Sequence, residues 1–433
     1  MDLAYLLAVF LFILVLLLGS GVWVGLALMG VGGVILTLFS DRPAGDIMIT
    51  AVWSSSTSWT LTALPLFILM GEVLYRTKLS EDLFRALAPL MKKLPGGLLH
   101  TNIVGSTLFA AVSGSSAATL TTVGKMSIPE LRRRNYPEKK IIGTLAGAST
   151  LGLMIPPSLT LIVYGVTVNE SITKLFMAGI IPGLVLACMF MMYVAFSVKA
   201  PDLIAAESDG PDSESAAKLL HLRLLLPLLV LISIVIGSMY SGLATATEAA
   251  AIGVLGALAL SAFQDEFSFS AFRESLLGAV RTSALIALIL MGASYLSVVM
   301  GFTGLPRALA EYIGTLGLSP IMLLGALALL YIVIGMFLDG ISSIVLTMAV
   351  VEPLVRTAGI DIIWFGIFIV VVVEMAQITP PVGFNLFVMQ GMTGHQINYI
   401  SRAAFPMFMI MVLMIILLVS FPEIATWLST AVQ

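Results

Sequence analysis

Charge is scarce in this sequence. Of 433 residues, 21 are Lys or Arg and 24 are Asp or Glu, 10% in all, where a soluble domain carries about 25%. Hydrophobic residues make up 59%, so most of the chain must face lipid or other membrane helices, which argues against a soluble enzyme. The one cysteine, Cys188, lies inside an apolar run; it rules out an internal disulfide and a cysteine metal cluster and reads as a small apolar filler. The three histidines, His100, His221 and His395, are far apart and show no metal-ligand spacing. No Gly-x-x-x-x-Gly-Lys-Ser/Thr loop occurs, which argues against ATP drive by this chain. The N-terminus has no basic stretch ahead of its first apolar run, so it reads as a retained span and not a cleaved signal peptide.

Long apolar runs are what the chain has instead. They cover 3–18, 22–39, 47–74, 141–168, 175–198, 224–240, 244–263, 282–302, 362–392 and 400–421. A spanning helix needs roughly 20 apolar residues, so the pattern predicts an all-α polytopic membrane protein of about ten spans. Two further stretches, 97–128 and 320–354, are interrupted midway, at Ser113-Gly114-Ser115-Ser116 and at Asp339-Gly340-Ile341-Ser342-Ser343. Basic residues flank the first on both sides: Arg76, Lys78, Arg85, Lys92 and Lys93 before it, Lys125, Arg132, Arg133, Arg134, Lys139 and Lys140 after it. Basic loops stay in the cytoplasm, so this stretch enters and leaves on one side as a re-entrant hairpin. The second has thin basic flanks, mainly Arg307 and Arg356, and is placed on the opposite face.

The punctuation repeats. Ser113–Ser116, Pro129, Ile155-Pro156-Pro157 and Pro182 in the first half match Asp339–Ser343, Pro353, Thr379-Pro380-Pro381 and Pro406 in the second. Gly114 to Pro156 is 42 residues and Gly340 to Pro380 is 40. The division that follows is a first repeat over 1–198 (hairpin about 97–128, broken helix about 141–168), a cytoplasmic linker over 199–223, and a second repeat over 224–433 (hairpin about 320–354, broken helix about 362–392). Five crossings precede the linker, so the second repeat is inverted. Inverted repeats with broken helices mark secondary transporters, with binding where the repeats meet.

Each double proline breaks its helix, because proline lacks the amide proton and clashes with the preceding turn. A break exposes carbonyl oxygens on one side and amide donors on the other; the first suit a small hard cation, the second an anionic group. Asp339 in a hairpin tip is a functional residue by default at membrane depth, with coordination, helix capping and proton uptake all open to it. Glu374 stands just before the second break, as a ligand or an interhelical partner. Glu72 and Glu248 are lone carboxylates and read as structural.

At Leu64–Gly71, Phe109–Ser116, Gly152–Ser158, Ala246–Ala251 and Ile378–Gly383 the sequence resembles the large membrane subunit, DctM type, of tripartite ATP-independent periplasmic transporters (TRAP transporters), over essentially the whole chain. The resemblance implies sodium as coupling ion, no ATP, an elevator-like movement of hairpins and broken helices, and residence in the bacterial inner membrane. It implies two partners, a small four-helix membrane subunit and a soluble periplasmic binding protein, and organic acids as substrates: C4-dicarboxylates, sialic acid or other sugar acids. Two sodium sites are expected, one per repeat: Ser113, Gly114, Ser115, Thr150, Gly152 and Pro156 in the first, Asp339, Gly340, Gln377, Thr379 and Pro380 in the second. Ser116, Ser342, Ser343 and Asn385 are the candidate substrate ligands. No Lys or Arg falls inside these motifs, so a carboxylate is expected on backbone amides, hydroxyls and sodium. The rival readings are an ion-coupled organic-anion transporter without a binding protein and a passive channel.

The hairpin reading is tested by labelling. Cysteines placed at Lys92 and Lys139 in a Cys188→Ala background should react with an impermeant reagent from the same membrane face. Labelling from opposite faces would turn 97–128 into a span.

Overall fold

The computed structural model describes residues 3–77, 79–197, 216–264, 267–315 and 319–431. Among them every regular element is helical, as expected where lipid offers backbone groups no partner and each segment must pair its own N–H and C=O. In chain order the α-helices are α1 (Leu3–Gly19), α2 (Val24–Phe39), α3 (Ala44–Ser56), α4 (Ala63–Tyr75), α5 (Leu79–Met91), α6 (Leu99–Ser113), α7 (Ser116–Arg133), α8 (Glu138–Ser149), α9 (Leu159–Val168) and α10 (Ile172–Ser197). There follow α11 (Ala216–Tyr240), α12 (Ala246–Phe263), α13 (Phe269–Thr303), α14 (Leu305–Thr315), α15 (Pro320–Gly335), α16 (Gly340–Thr357), α17 (Ile362–Gln377), α18 (Phe384–Thr393), α19 (Ile397–Ser420) and α20 (Glu423–Ala431). Five of these, α10, α12, α13, α16 and α19, are each long and apolar enough to cross a membrane; most of the other expected spans are shorter apolar helices. The chain is an all-α polytopic membrane protein. Of the expected linker over 199–223, residues 199–215 lie outside the described residues, as does Lys78, and 216–223 belong to α11.

Three features depart from the hydropathy pattern. The run 47–74 is not one rod: α3 and α4 meet at 55°. The cause is the polar run Ser54–Ser58, where Ser56 Oγ donates to Val52 O (2.6 Å) and Thr57 Oγ1 to Trp53 O (2.9 Å); such bonds let hydroxyls compete with the helix ladder. The amphipathic helices α5 and α14 lie beside the hairpins, α5 against α6 and α14 against α16. At 13 and 11 residues they are too short to span. Last, α13 runs for 35 residues where 21 were marked by hydropathy, and it packs on α2, α3, α4 and α16.

Both interrupted stretches are helix–turn–helix units. In the first, α6 ends at Gly114 with φ +57, a left-handed conformation that glycine adopts freely. Ser115 is then extended and caps α7, its Oγ accepting from Ala118 N (3.4 Å). In the second, α15 ends at Gly335 and Asp339 caps α16, accepting from Ser342 N (3.3 Å). The cap positions Ser115 and Asp339 are equivalent in form and different in charge.

Ion pairs tie the outer end of each unit to the opposite half. Arg132, at the end of α7, donates to Glu138 (Nε to Oε2, 3.1 Å), which also meets His395 Nε2 at 3.1 Å in the turn after α18. Hydrogen bonding from Arg132 holds the Glu138 carboxyl below the usual carboxylate range against the opposing effect of burial. At the end of α16, Arg356 pairs with Glu352 (2.9 Å) and Glu170 (3.5 Å) and donates to Val168 O at the end of α9 (3.3 Å). Each pair is modest alone.

The α2–α13 contact depends on small residues. A Cβ added at Gly292 would stand 2.3 Å from the Gly25 carbonyl oxygen, and one at Gly25 would stand 2.5 Å from the Leu288 carbonyl oxygen. Backbones approach this closely in membranes only where side chains are absent. Gly292→Val should therefore cost about 1–3 kcal/mol and lower the melting temperature in detergent. Gly301→Ala on the same helix, with nothing within 4 Å of the added carbon, should not. Equal melting temperatures for both variants would contradict the packing.

Candidate functional site

The first break follows α8. The chain passes through a 3-10 turn, Thr150–Leu153, reaches a cis Pro156–Pro157 bond and restarts as α9. Ser158 caps α9, accepting from Leu161 N (3.3 Å), and its hydroxyl donates to Leu153 O. Leu159 N donates to Gly114 O in the first hairpin tip (3.3 Å). A Cβ on Gly152 would come within 2.7 Å of Ser115 O, and one on Gly114 within 2.8 Å of Pro157 O. The tip is thus docked on the break, backbone against backbone.

The second break repeats this arrangement. Pro380–Pro381 is also cis, and the chain restarts as α18 at Phe384. Gly383, with φ +54, donates its N–H to Met336 O in the second hairpin turn (2.9 Å). Counted from the prolines, Gly383 occupies the position of Leu159. Val382 occupies that of Ser158, so the Gln377 carbonyl has no hydroxyl donor like the one that reaches Leu153 O. A Cβ on Gly383 would meet both Gln377 O (2.8 Å) and Thr379 O (2.7 Å), so two carbonyl oxygens converge there.

The two docked units meet each other. Ser116, first residue of α7, places its Oγ 3.2 Å from Gln377 Oε1 and 3.5 Å from Asn385 Oδ1. Gly340 sits against Gln377 Nε2 and Leu153, with an added Cβ 2.9 and 3.1 Å away. In front of this junction lies a cavity of about 620 Å³, lined by Ser115, Ser116, Asp339, Gly340, Leu153 and Gln377 and walled by residues 22–25 at the start of α2 and by residues of α13 between Thr282 and Ile289. A smaller cavity of about 190 Å³ lies behind the first tip, with Ser113, Ser115, Thr121, Glu72 and Tyr75 around it. Ser115 and Thr282 border both.

The sequence-derived residues fall as follows. Ser113, Gly114 and Ser115 form the first tip, where Ser113 Oγ lies 2.8 Å from Thr119 Oγ1; Gly152 packs on it directly and Pro156 belongs to the break beneath. The Thr150 hydroxyl turns away, donating to Gly147 O (2.6 Å) beside Met411. Asp339, Gly340 and Gln377 line the large cavity. The Thr379 hydroxyl donates to Met375 O (2.7 Å), and Pro380 is exposed. Ser116 lines the cavity and Asn385 is buried behind it. Ser342 and Ser343 are buried in the first turn of α16, Ser343 donating to Asp339 O (2.9 Å), and neither lines the cavity. Thr282 and Thr119 were not singled out by sequence; Thr282 carries a weak signal as the hydroxyl that opens the run 282–302. Among the described residues no group of three or more His, Cys, Asp or Glu converges. The oxygen donors at the tips are hydroxyls, carbonyls and the Asp339 carboxylate, a set that fits a hard cation.

The sequence model of the family "Tripartite ATP-independent periplasmic transporter, DctM component" matches residues 9–424. The chain belongs to the DctM family. It is 32% identical over 399 residues to the C4-dicarboxylate TRAP transporter large permease protein DctM of Pseudomonas aeruginosa, covering 91% of each chain. It is 30% identical over 369 residues to the sialic acid TRAP transporter large permease protein SiaM of Vibrio cholerae, covering 84% of this chain and 85% of that one. Among solved structures, the YdaH transporter of Alcanivorax borkumensis superposes with a TM-score of 0.66 at 13% identity, covering 94% of this chain and 97% of that one; at that identity the likeness is one of fold. The Ser-Gly-Ser-Ser tip and the two Pro-Pro breaks, on which the resemblance read from the sequence rests, are the elements that the structure of this DctM chain packs together.

Proposed function

We propose that this chain is the permease of a sodium-coupled importer of organic acids in the bacterial inner membrane. It would work with a small four-helix membrane subunit and a periplasmic binding protein that delivers the substrate. The observation that carries the reading is the cavity between the two tips. Among the described residues no Lys or Arg lines it, while hydroxyls, a carboxylate cap and helix N-termini do. Helix N-termini offer unpaired amides to an anion, and the breaks offer carbonyls to a cation.

Sodium supplies the charge that such a site lacks. Ser113–Ser115 with Gly152 and Pro156 would hold one ion; Asp339, Gly340 and Gln377, with the carbonyls about Gly383, would hold a second. Thr150 and Thr379 would contribute through backbone oxygen, since their hydroxyls are engaged in their own helices. The substrate carboxylate would lie between Ser116 and the amides that open α16. Relatives named for C4-dicarboxylate and sialic acid both handle carboxylates, which supports an organic acid here. The matched breaks and tips support two inverted repeats that move as one body against a scaffold containing α2 and α13.

Uptake by proteoliposomes containing both membrane subunits and the binding protein tests this. Substrate should accumulate above equilibrium only with an inward sodium gradient, and Asp339→Asn should raise the sodium needed for half-maximal rate or abolish uptake. Flux that follows the substrate gradient, without sodium or binding protein, would instead establish a passive channel.

A further inference from the structure

Glu374 lies in the last turn of α17, 1% exposed, and neither carboxylate oxygen has a hydrogen-bond partner. The nearby polar side chain is Ser116 of the opposite half. An isolated ionised carboxylate this deep is strongly disfavoured, and the negative end of the α17 dipole adds to the cost. Ser116 has one hydroxyl proton, yet two amide oxygens point at its Oγ, Gln377 Oε1 at 3.2 Å and Asn385 Oδ1 at 3.5 Å. Asn385 is fully buried and its Nδ2 is also without a partner. Ser116 thus stands beside a buried carboxylate without a partner and two amide oxygens, with one hydroxyl proton of its own to give them. A small cation at that point would supply the partner that the Glu374 oxygens lack.

We propose that Glu374, Ser116, Gln377 and Asn385 form a third sodium site, set behind the cavity wall and reached past Ser116 and Gln377, which line the cavity. The ligands are side-chain oxygens from both halves, with Glu374 supplying the one full negative charge. Oxygen donors with one carboxylate suit a hard cation. The ion would neutralise Glu374 and draw the two amide oxygens and the Ser116 hydroxyl to one point. It joins α7 of the first half to α17 and α18 of the second. This inference rests on the sodium-coupled reading above and adds one ion to it.

The test is ²²Na⁺ uptake counted against substrate in the reconstituted system, with wild type and Glu374→Gln side by side. Wild type should carry three sodium ions per substrate and the variant two, with a shallower sodium dependence. Wild-type uptake that carries no sodium would sink the coupled reading itself. A coupled wild type with an unchanged ratio and unchanged sodium curve in Glu374→Gln would overturn only the third site. So would a variant that loses a proton from the cycle while its sodium ratio stays the same. Should Glu374→Gln fail to fold, Ser116→Ala keeps the carboxylate and removes one ligand. Sodium-dependent thermal stabilisation of that purified variant should then need about tenfold more NaCl, with KCl as control, and an unshifted midpoint would overturn the site.

Discussion

A backbone that leaves the helical path inside a membrane must find its partners within the protein, at a cost of several kcal/mol for each group left unpaired. This chain breaks its helices four times at depth, at two tips and two Pro-Pro bonds, and the breaks satisfy one another. Leu159 N donates to Gly114 O and Gly383 N to Met336 O. Glycine at 114, 152 and 383 lets backbones approach where a Cβ would collide. Every later feature follows from this docking, since it sets four helix ends around one point. It places Ser115, Ser116, Asp339 and Gly340, at the starts of α7 and α16, on a shared cavity.

The two halves use the same geometry with different chemistry. Ser115 caps the first hairpin and Asp339 the second, so the negative charge in the tips belongs to one side. Ser158 seals the Leu153 carbonyl while Val382 leaves its counterpart at Gln377 open. The second half is therefore the more electron-rich, and Glu374 lies within it. The outer ties, Arg132–Glu138–His395 at one end and Arg356 with Glu170 and Val168 at the other, each cross between halves. Weak singly, they tie the two halves together at both ends of the docked units.

Much of this was legible in the sequence because its signals are local and strong. Ser-Gly-Ser-Ser and Asp-Gly inside apolar stretches mark turns, and Pro-Pro marks breaks whatever the tertiary context. The bend between α3 and α4 was missed because hydropathy averaging passes over a serine run. The helices α5 and α14 were missed because amphipathic segments fall below a span threshold while still burying one face. At the site, the tip and break residues could be named, but the direction of a hydroxyl could not. Thr150, Thr379 and Ser343 turn onto carbonyls of their own helices, a choice made by rotamer and neighbour. The Ser116–Gln377–Asn385 junction spans more than 260 residues, and no periodicity encodes a contact between halves.

The account stands on the two docked units forming one anion site without a buried cation of the protein. A structure with substrate and sodium bound measures this most directly. The substrate carboxylate should lie in the cavity between Ser115–Ser116 and Asp339–Gly340, on amides, hydroxyls and sodium. A Lys or Arg side chain directly on that carboxylate, or a substrate seated away from both tips, would contradict it.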